Sequence, residues 1–296
     1  MNFSLYELDN FIRVAEEGNI SNAARSQGIT QPALSWSIKK MEDALGIPLF
    51  HRSKKGVSLT RAGDTLLTRS RELKRAWECL KDAMEADESE IRGVYTLGIH
   101  STIAAYTMPR FYPGLLAKNP NVELRLVHDL SRNIGQGVLR YKTDFGIVVD
   151  PPKSDDLVSI PLYHDEFKFW TISEPSPLAN ISTPHGLIAC NPTLLRTANL
   201  MREATASGLV SGEARILHTT ELELIANLTA SGHAVGVLPA TIALGRPGRP
   251  LIPLPGTPSF ADTIYLIYRK DMCTSNAFTV IREHIVSQLQ GEGPRL

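Results

Sequence analysis

The sequence predicts an α/β protein of two folding units: a helical front section with one hairpin, and a longer rear section in which strands and helices alternate. Three observations carry this. The chain has 296 residues, more than the roughly 100 to 200 of an ordinary single domain. Up to about residue 90, apolar side chains recur at helical spacing with a single turn-rich break, whereas beyond Gly93 short β-branched runs alternate with helical patterns. The run Asp87-Glu88-Ser89-Glu90 marks the change of composition, which places a boundary there. Hydrophobic residues make up 43% and charged residues 21%, the composition of a folded globular chain rather than a disordered one.

In the front section, Leu5, Leu8, Phe11, Ile12 and Ala15 follow helical spacing and Gly18-Asn19 stops them. Ser21 opens a short alanine-rich helix that ends at Gly28. Thr30 can cap a third helix, with Pro32 tolerated in the first turn because the amide it lacks has no helical partner there. At about 100° per residue, Leu34, Ile38, Met41 and Leu45 fall on one stripe and face the core. The opposite side then carries Pro32, Ser35, Trp36, Lys39, Lys40 and Asp43. Gly46 ends the helix, and the two β-type stretches around Ser53 to Gly56 read as a hairpin. Helix, helix, helix, hairpin is the winged helix-turn-helix order.

Arg61 to Glu88 contains no proline and makes about 40 Å of helix at ~1.5 Å per residue. Leu66, Leu73 and Leu80 recur every seventh residue, with Ala76 and Ala83 three places after the last two and Trp77 and Met84 widening the stripe. Such a seam, with no partner evident between two domains, predicts pairing with a second copy of the chain. The rear section opens with VYTLGI as a strand, a helix from about Ala104 to Asn119, the strand VELRLVHD, a helix near Asn133 to Tyr141 and the strand FGIVV. A second set follows: FKFWTIS, GLIAC, a helix from Leu194 to Ser207, RILHT, a helix from Glu221 to Ser231, and AVGVL. TIYLIYR and AFTVIREHIVSQL then return as one more strand and helix. That return implies two interleaved lobes with crossover segments near 161–163 and 262–265, enclosing a cleft. The predicted division is residues 1–60 for the winged helix-turn-helix unit, 61–90 for the linker helix and 91–296 for the two lobes. Lobe I spans about 91–162 and 265–296, and lobe II about 163–264.

Lysine plus arginine (31) cancels aspartate plus glutamate (31), so overall charge selects no partner. The N-terminal MNFSLYELDN has acids where an export signal would have a basic patch. The longest uncharged apolar run, Ala234 to Gly245, contains Pro239 and two glycines and is shorter than the roughly 18 residues that span a bilayer. No membrane association is expected, and a cytoplasmic location fits best. Cys79, Cys190 and Cys273 are far apart with no CxxC pair, which suits a reducing compartment and offers no zinc site. The histidines form no HExxH, and there is no GxSxG elbow or phosphate-cradling glycine loop. Neither enzyme activity, nor a catalytic or metal-binding residue, nor a cofactor is expected.

Local charge is more informative. From Arg25 to Arg61, seven basic residues (Arg25, Lys39, Lys40, Arg52, Lys54, Lys55, Arg61) face two acids (Glu42, Asp43). Lys39, Lys40, Arg52, Lys54 and Lys55 are suited to phosphates, where they would release counterions and position the chain on double-stranded DNA. Gln31, Ser35 and Trp36 lie where base edges can be reached: glutamine can pair with adenine, and an apolar ring can pack on a thymine methyl. Pro32 belongs to the same surface. The front section also resembles the LysR-type transcriptional regulators. The resemblance runs from Leu8-x-x-Phe11-x-x-VAEEGNISNAA through GITQPALS, ending at Ser35, and IKKMEDALGIPLF, ending at Phe50, to Arg52 and GVSLTRAG, ending at Gly63. Within that pattern Trp36 stands where the family usually has a polar or basic residue, Gln27 where it usually has leucine, and Met41 where leucine precedes Glu42.

The resemblance implies a rear half like the periplasmic solute-binding proteins, gripping a small effector between two lobes, and a homotetramer beyond the dimer. Strand-end physics points to the same cleft, because open parallel sheets bind ligands beyond the carboxyl ends of their strands, beside helix N-termini. The strands deliver His100, Ser101 and Thr102; Ser131 and Arg132; Asp150; His218, Thr219 and Thr220; and Leu238-Pro239 to such points. His100, Ser101, Thr102, Ser131, Thr219 and Thr220 are the expected contacts to a polar or anionic effector. Some members of the family sense oxidants, which makes Cys190 a candidate switch. It lacks a nearby resolving partner and reads as a small residue at a strand end. A plain solute-binding role leaves the front unit without a purpose.

Overall fold

The computed structural model describes the chain except residues 1–3, 54, 86–90, 175–179, 184, 246–247, 249, 273–274 and 292–296, and describes only the backbone of 82, 83 and 85. Its contacts divide it into two compact units, one made chiefly of residues 1–89 and the other of most of residues 90–296.

In the first unit, α1 (Leu5–Glu17) begins with a reciprocal cap. The Glu7 amide donates to Ser4 Oγ at 3.4 Å and the Ser4 amide to Glu7 Oε2 at 2.7 Å. The helix ends at Gly18, whose φ of 61° suits a residue without Cβ. Helix α2 (Ile20–Ser26) starts one residue before the expected Ser21, because Asn19 takes the cap and accepts from the amides of Ser21 and Asn22 at 2.9 and 3.1 Å. Thr30 caps α3 (Gln31–Leu45), which closes at Gly46. Leu34, Ile38 and Met41 are fully buried with Phe11, Val14 and Leu49 in one core. Strands β1 (Phe50–Ser53) and β2 (Gly56–Leu59) form the antiparallel wing. The wing is tied down by the Val57 amide donating to the Gly18 carbonyl at 2.8 Å.

Helix α4 (Arg61–Glu85) runs about 37 Å at ~1.5 Å per residue; the expected extension to Glu88 lies outside the described residues. Thr60 sets its start, accepting from the Gly63 amide at 3.0 Å while donating to the Pro48 carbonyl at 2.8 Å. A Cβ on Gly63 would sit 2.1 Å from the Leu49 carbonyl oxygen, so only glycine lets the helix approach this closely.

The second unit holds one nine-stranded sheet with two parallel wings. The first comprises β3 (Gly93–Ile99), β4 (Val122–Val127) and β5 (Phe145–Val149), linked by α5 (Ser101–Lys118) and α6 (Ser131–Leu139). The other comprises β7 (Leu187–Cys190), β8 (Arg215–His218) and β9 (Val235–Pro239), linked by α7 (Leu195–Ala206) and α8 (Leu222–Ala230), with the short α9 (Ala240–Gly245) after β9. Two long antiparallel strands, β6 (Leu157–Thr171) and β11 (Phe260–Arg269), join the wings. The short β10 (Ile252–Pro253) pairs with the end of β6, and α10 (Asn276–Leu289) follows β11.

The segments expected to cross over at 161–163 and 262–265 are thus the middles of two continuous strands, whose register shifts between Ile264 and Tyr265. Helix α5 starts three residues before the expected Ala104, because the His100 ring nitrogen accepts from the Thr102 amide at 3.3 Å. Helix α6 begins at Ser131 rather than near Asn133. In the first wing, Phe145 stacks on Phe278 with centroids 4.3 Å apart. In the second, the fully buried Trp170 donates from its indole nitrogen to the Leu238 carbonyl at 2.9 Å.

Candidate DNA-reading surface and effector cavity

The core stripe of α3 leaves Gln31, Pro32, Trp36 and Lys39 exposed and Ser35 half-buried on the opposite face. Arg52 and Lys55 are exposed on the wing, while Lys54 lies outside the described residues. Two carboxylates organise this surface. Glu42 accepts from the amides of Leu49 and Phe50 at 2.7 and 3.2 Å, fixing the turn that leads from α3 into the wing. The Arg52 guanidinium stands 3.8 Å from the same carboxylate. Lys40, one of the cations expected to face phosphate, places its ammonium 2.5 Å from Glu7 Oε1 and 5.7 Å from the Trp36 ring centroid. The hydrogen bonds from Lys40 and from the Ser4 amide hold the buried Glu7 below the ordinary carboxylate range. Sequence reasoning missed the roles of Glu7 and Glu42. The Ser4-x-x-Glu7 spacing marks Glu7 as a capping residue, but nothing local links it to Lys40.

In the second unit, a cavity of about 430 Å³ opens beyond the carboxyl ends of β3, β5 and β9, within the usual size range for small-ligand sites. Ile103, Leu130, Phe167, Leu194, Leu222 and Ile242 give it an apolar body. Of the six expected effector contacts, His100, Thr102 and Ser131 line it. Ser131 Oγ accepts from the Val149 amide at 3.1 Å, pinning the start of α6 to the end of β5. Burial pulls His100 below its ordinary value and favours the neutral ring.

Ser101, Thr219 and Thr220 are not among the lining residues. Ser101 is exposed at the start of α5. Thr219 Oγ1 accepts from the Glu221 amide at 3.2 Å, and the Thr220 carbonyl accepts from Asn191 Nδ2 at 3.3 Å. Asn191, at the end of the inner strand β7, lines the cavity, while the threonines that follow the edge strand β8 stand behind it.

The charged lining was not foreseen except for Arg132 and Asp150. Arg196 bridges Asp150 and the buried Asp262. Asp262 faces Asp165 directly across the β11–β6 ladder. Asp165 accepts from the amides of Glu166 and Thr241 at 2.8 and 3.1 Å. Burial raises both aspartates above the ordinary carboxylate range, against the pull of Arg196 on Asp262 and of the amides on Asp165. Asp150, at the strand end, adopts a φ of 49°, a left-handed conformation uncommon outside glycine. Three carboxylates therefore line the cavity with two guanidiniums, Arg132 and Arg196. A larger hollow of about 590 Å³ lies along Pro161 to Glu166, Ala240, Ala261 and Gln290, and holds none of the expected strand-end contacts.

Cys190 is buried, and desolvation pushes its thiol up to about 11. Cys273 is outside the described residues. Among the described residues, no three histidine, cysteine or acidic side chains are grouped to hold a metal, and no helix is long and apolar enough to cross a membrane.

Comparison with known proteins matches both units. The family profile described as "Bacterial regulatory helix-turn-helix protein, lysR family" matches residues 5–64, and "LysR substrate binding domain" matches residues 88–290. The chain is 24% identical to the "Hydrogen peroxide-inducible genes activator" of Haemophilus influenzae, over 97% of this chain and 99% of that one. It is 27% identical to the "DNA-binding transcriptional dual regulator OxyR" of Escherichia coli, over 97% and 96%. Two solved structures share the fold. A full-length OxyR variant from Pseudomonas aeruginosa superposes with a TM-score of 0.70 at 21% identity, covering 99% of this chain and 100% of that one. Full-length CbnR in complex with its target DNA gives 0.61 at 21% identity, covering 97% and 100%.

Proposed function

The chain belongs to the LysR family of bacterial DNA-binding transcriptional regulators, and on that footing we propose that α3 reads an operator in the major groove while the cavity of the second unit receives the controlling small molecule. The observation that carries this reading is the two-faced α3. Its inner stripe is locked by Leu34, Ile38 and Met41, which leaves Gln31, Ser35, Trp36 and Lys39 as a rigid outward set. Gln31 and Ser35 can hydrogen-bond base edges. Lys39, Arg52 and Lys55, together with Lys54, neutralise phosphates, and Pro32 shapes the leading turn of the helix. Lys40, being paired with Glu7, serves the surface by positioning.

The protein works as a homodimer through α4, whose Leu73, Trp77, Leu80 and Met84 are exposed, and as a tetramer through further contacts of the second unit. A two-fold axis sets half-sites about 34 Å or a multiple apart. It acts in the cytoplasm, where the DNA is. The effector is a polar small molecule with an apolar body, gripped by His100, Thr102 and Ser131 together with Asn191 and Arg196. Thr220 supports Asn191, whose side-chain amide donates to the Thr220 carbonyl, and Ser101 and Thr219 stand outside the grip. The carboxylates in the lining favour hydrogen-bond donors on the effector over a purely anionic one. The effector regulates by binding two arrangements of the oligomer with different affinity. A peroxide response of the kind named for the relatives is not supported at Cys190, because a buried thiol pushed up to about 11 carries little of the reactive thiolate at neutral pH.

Selection of duplexes from a randomised pool by the full-length protein tests the DNA reading. A palindromic consensus supports it, and no enrichment at low ionic strength overturns it. Small molecules that raise the melting temperature of the wild type, but not of a Leu194→Trp variant with a filled cavity, locate the effector site. Equal response of the two proteins removes it from the cavity.

A further inference from the structure

We propose that Trp36 is a thymine reader, an indole held in place by Lys40 and Glu7 so that it packs on the C5 methyl of one thymine in each half-site. The inference rests on the reading of α3 as the groove helix.

Trp36 is 66% exposed, a large apolar surface turned to water on a face otherwise occupied by Gln31, Ser35 and Lys39. Pro32, Trp36 and Lys40 follow one another at four-residue spacing, which places them in one row along the helix. The ammonium of Lys40 stands 5.7 Å from the indole centroid, within the ~6 Å reach of a cation–π contact. That ammonium is 2.5 Å from Glu7 Oε1, and Glu7 is buried and fastened to the Ser4 amide at 2.7 Å. A relay therefore runs from the first turn of α1 through Glu7 and Lys40 to the ring. Glu7 neutralises the Lys40 ammonium beside the ring, leaving Lys39 as the other cation of α3 for phosphate. The indole offers an apolar face and one N–H donor. Its face has one distinctive match among the base edges of the major groove, the thymine methyl. A ring that is already restrained loses less freedom on contact than a mobile one.

The test takes the duplex selected by the full-length protein and replaces each thymidine in turn by deoxyuridine, which removes the methyl and keeps the pairing edge. At one position per half-site, the wild type should lose about fourfold in affinity, the value of burying one methyl-sized group. Trp36→Ala should bind the two duplexes equally, and Trp36→Phe should retain part of the discrimination. Lys40→Met and Glu7→Gln should lose most of the discrimination, and Lys40→Met should keep the wild-type dependence of affinity on salt. Lys40→Arg, which preserves both contacts, should keep it.

The proposal is overturned if deoxyuridine costs nothing at any position, or if Trp36→Ala preserves the thymidine preference. It is equally overturned if Lys40→Met lowers the salt slope by about one, as the loss of a phosphate contact would, or if Trp36→Ala instead changes the oligomeric state in sedimentation. Failure of the selection to enrich any sequence overturns the DNA-reading role itself, and so is distinguishable from failure of the thymine contact.

Discussion

Glu42 shows how one side chain sets the geometry of the DNA-reading unit. Its carboxylate takes the amides of Leu49 and Phe50, both in buried residues, so Glu42→Ala strands two donors. The expected loss is about 1–3 kcal/mol, read as a lower urea midpoint with an unchanged slope. Glu7 makes a pH-dependent contribution. Since Lys40 and the Ser4 amide hold it below its ordinary value, its ionisation stabilises the fold. That stability is present above the free-glutamate value of about 4.3 and is lost as the pH falls through the lowered folded value. Acid titration of Glu7→Gln by circular dichroism should therefore show a shallower loss of stability below about pH 4.3 than the wild type. The outward set on α3 was legible because helical angle alone assigns Leu34 and Trp36 to opposite sides. The Glu7–Lys40 pair was not, because it joins residues 33 apart in sequence.

At the scale of elements, α4 carries the clearest prediction. Leu73 and Leu80 are each about half exposed, at 51% and 49%, and Met84 is 80% exposed, so replacing both leucines by glutamate removes little from the unit's own core. The double variant should sediment as a smaller assembly than the wild type, keep its helical signal and lose affinity for two-half-site DNA; an unchanged sedimentation profile would assign the α4 pairing to another surface. Gly63→Ala should destabilise the fold by about 1–3 kcal/mol, the usual range for forcing an added methyl into a filled space, because its Cβ would meet the Leu49 carbonyl at 2.1 Å. Calorimetric melting would show this as a lower Tm. The LTRAG close was visible in the sequence as a pattern. Its reason lies in a carbonyl fourteen residues earlier, and only packing reveals it. The start of α5 was misplaced for a different cause: its cap is a histidine ring nitrogen, outside the hydroxyl, carboxylate and amide set that usually signals a helix start.

For the molecule as a whole, the order of strands and helices could be read from period and turn residues, and it led to the mouths of β3 and β5, where His100, Thr102 and Ser131 sit. Asp165 and Asp262 could not be found this way. They lie within long strands that pair across 97 residues of sequence, Asp262 against Asp165, and no local pattern announces that register. A ligand that fills this cavity at about a hundred times its Kd should add about 2.7 kcal/mol to the stability of the second unit. Arg196→Met should weaken that gain while leaving effector-free DNA affinity near the wild-type value, measured by melting and by anisotropy respectively. The path of β6 and β11 bears on how such a ligand can be felt elsewhere. Because both strands pass from one wing to the other without a break, the connection is a laddered ribbon and not a pair of swivelling loops. An irregularity of register bends a strand and raises its local twist, so a ligand that favours one arrangement of the wings would be felt first as a change of twist at Ile264/Tyr265.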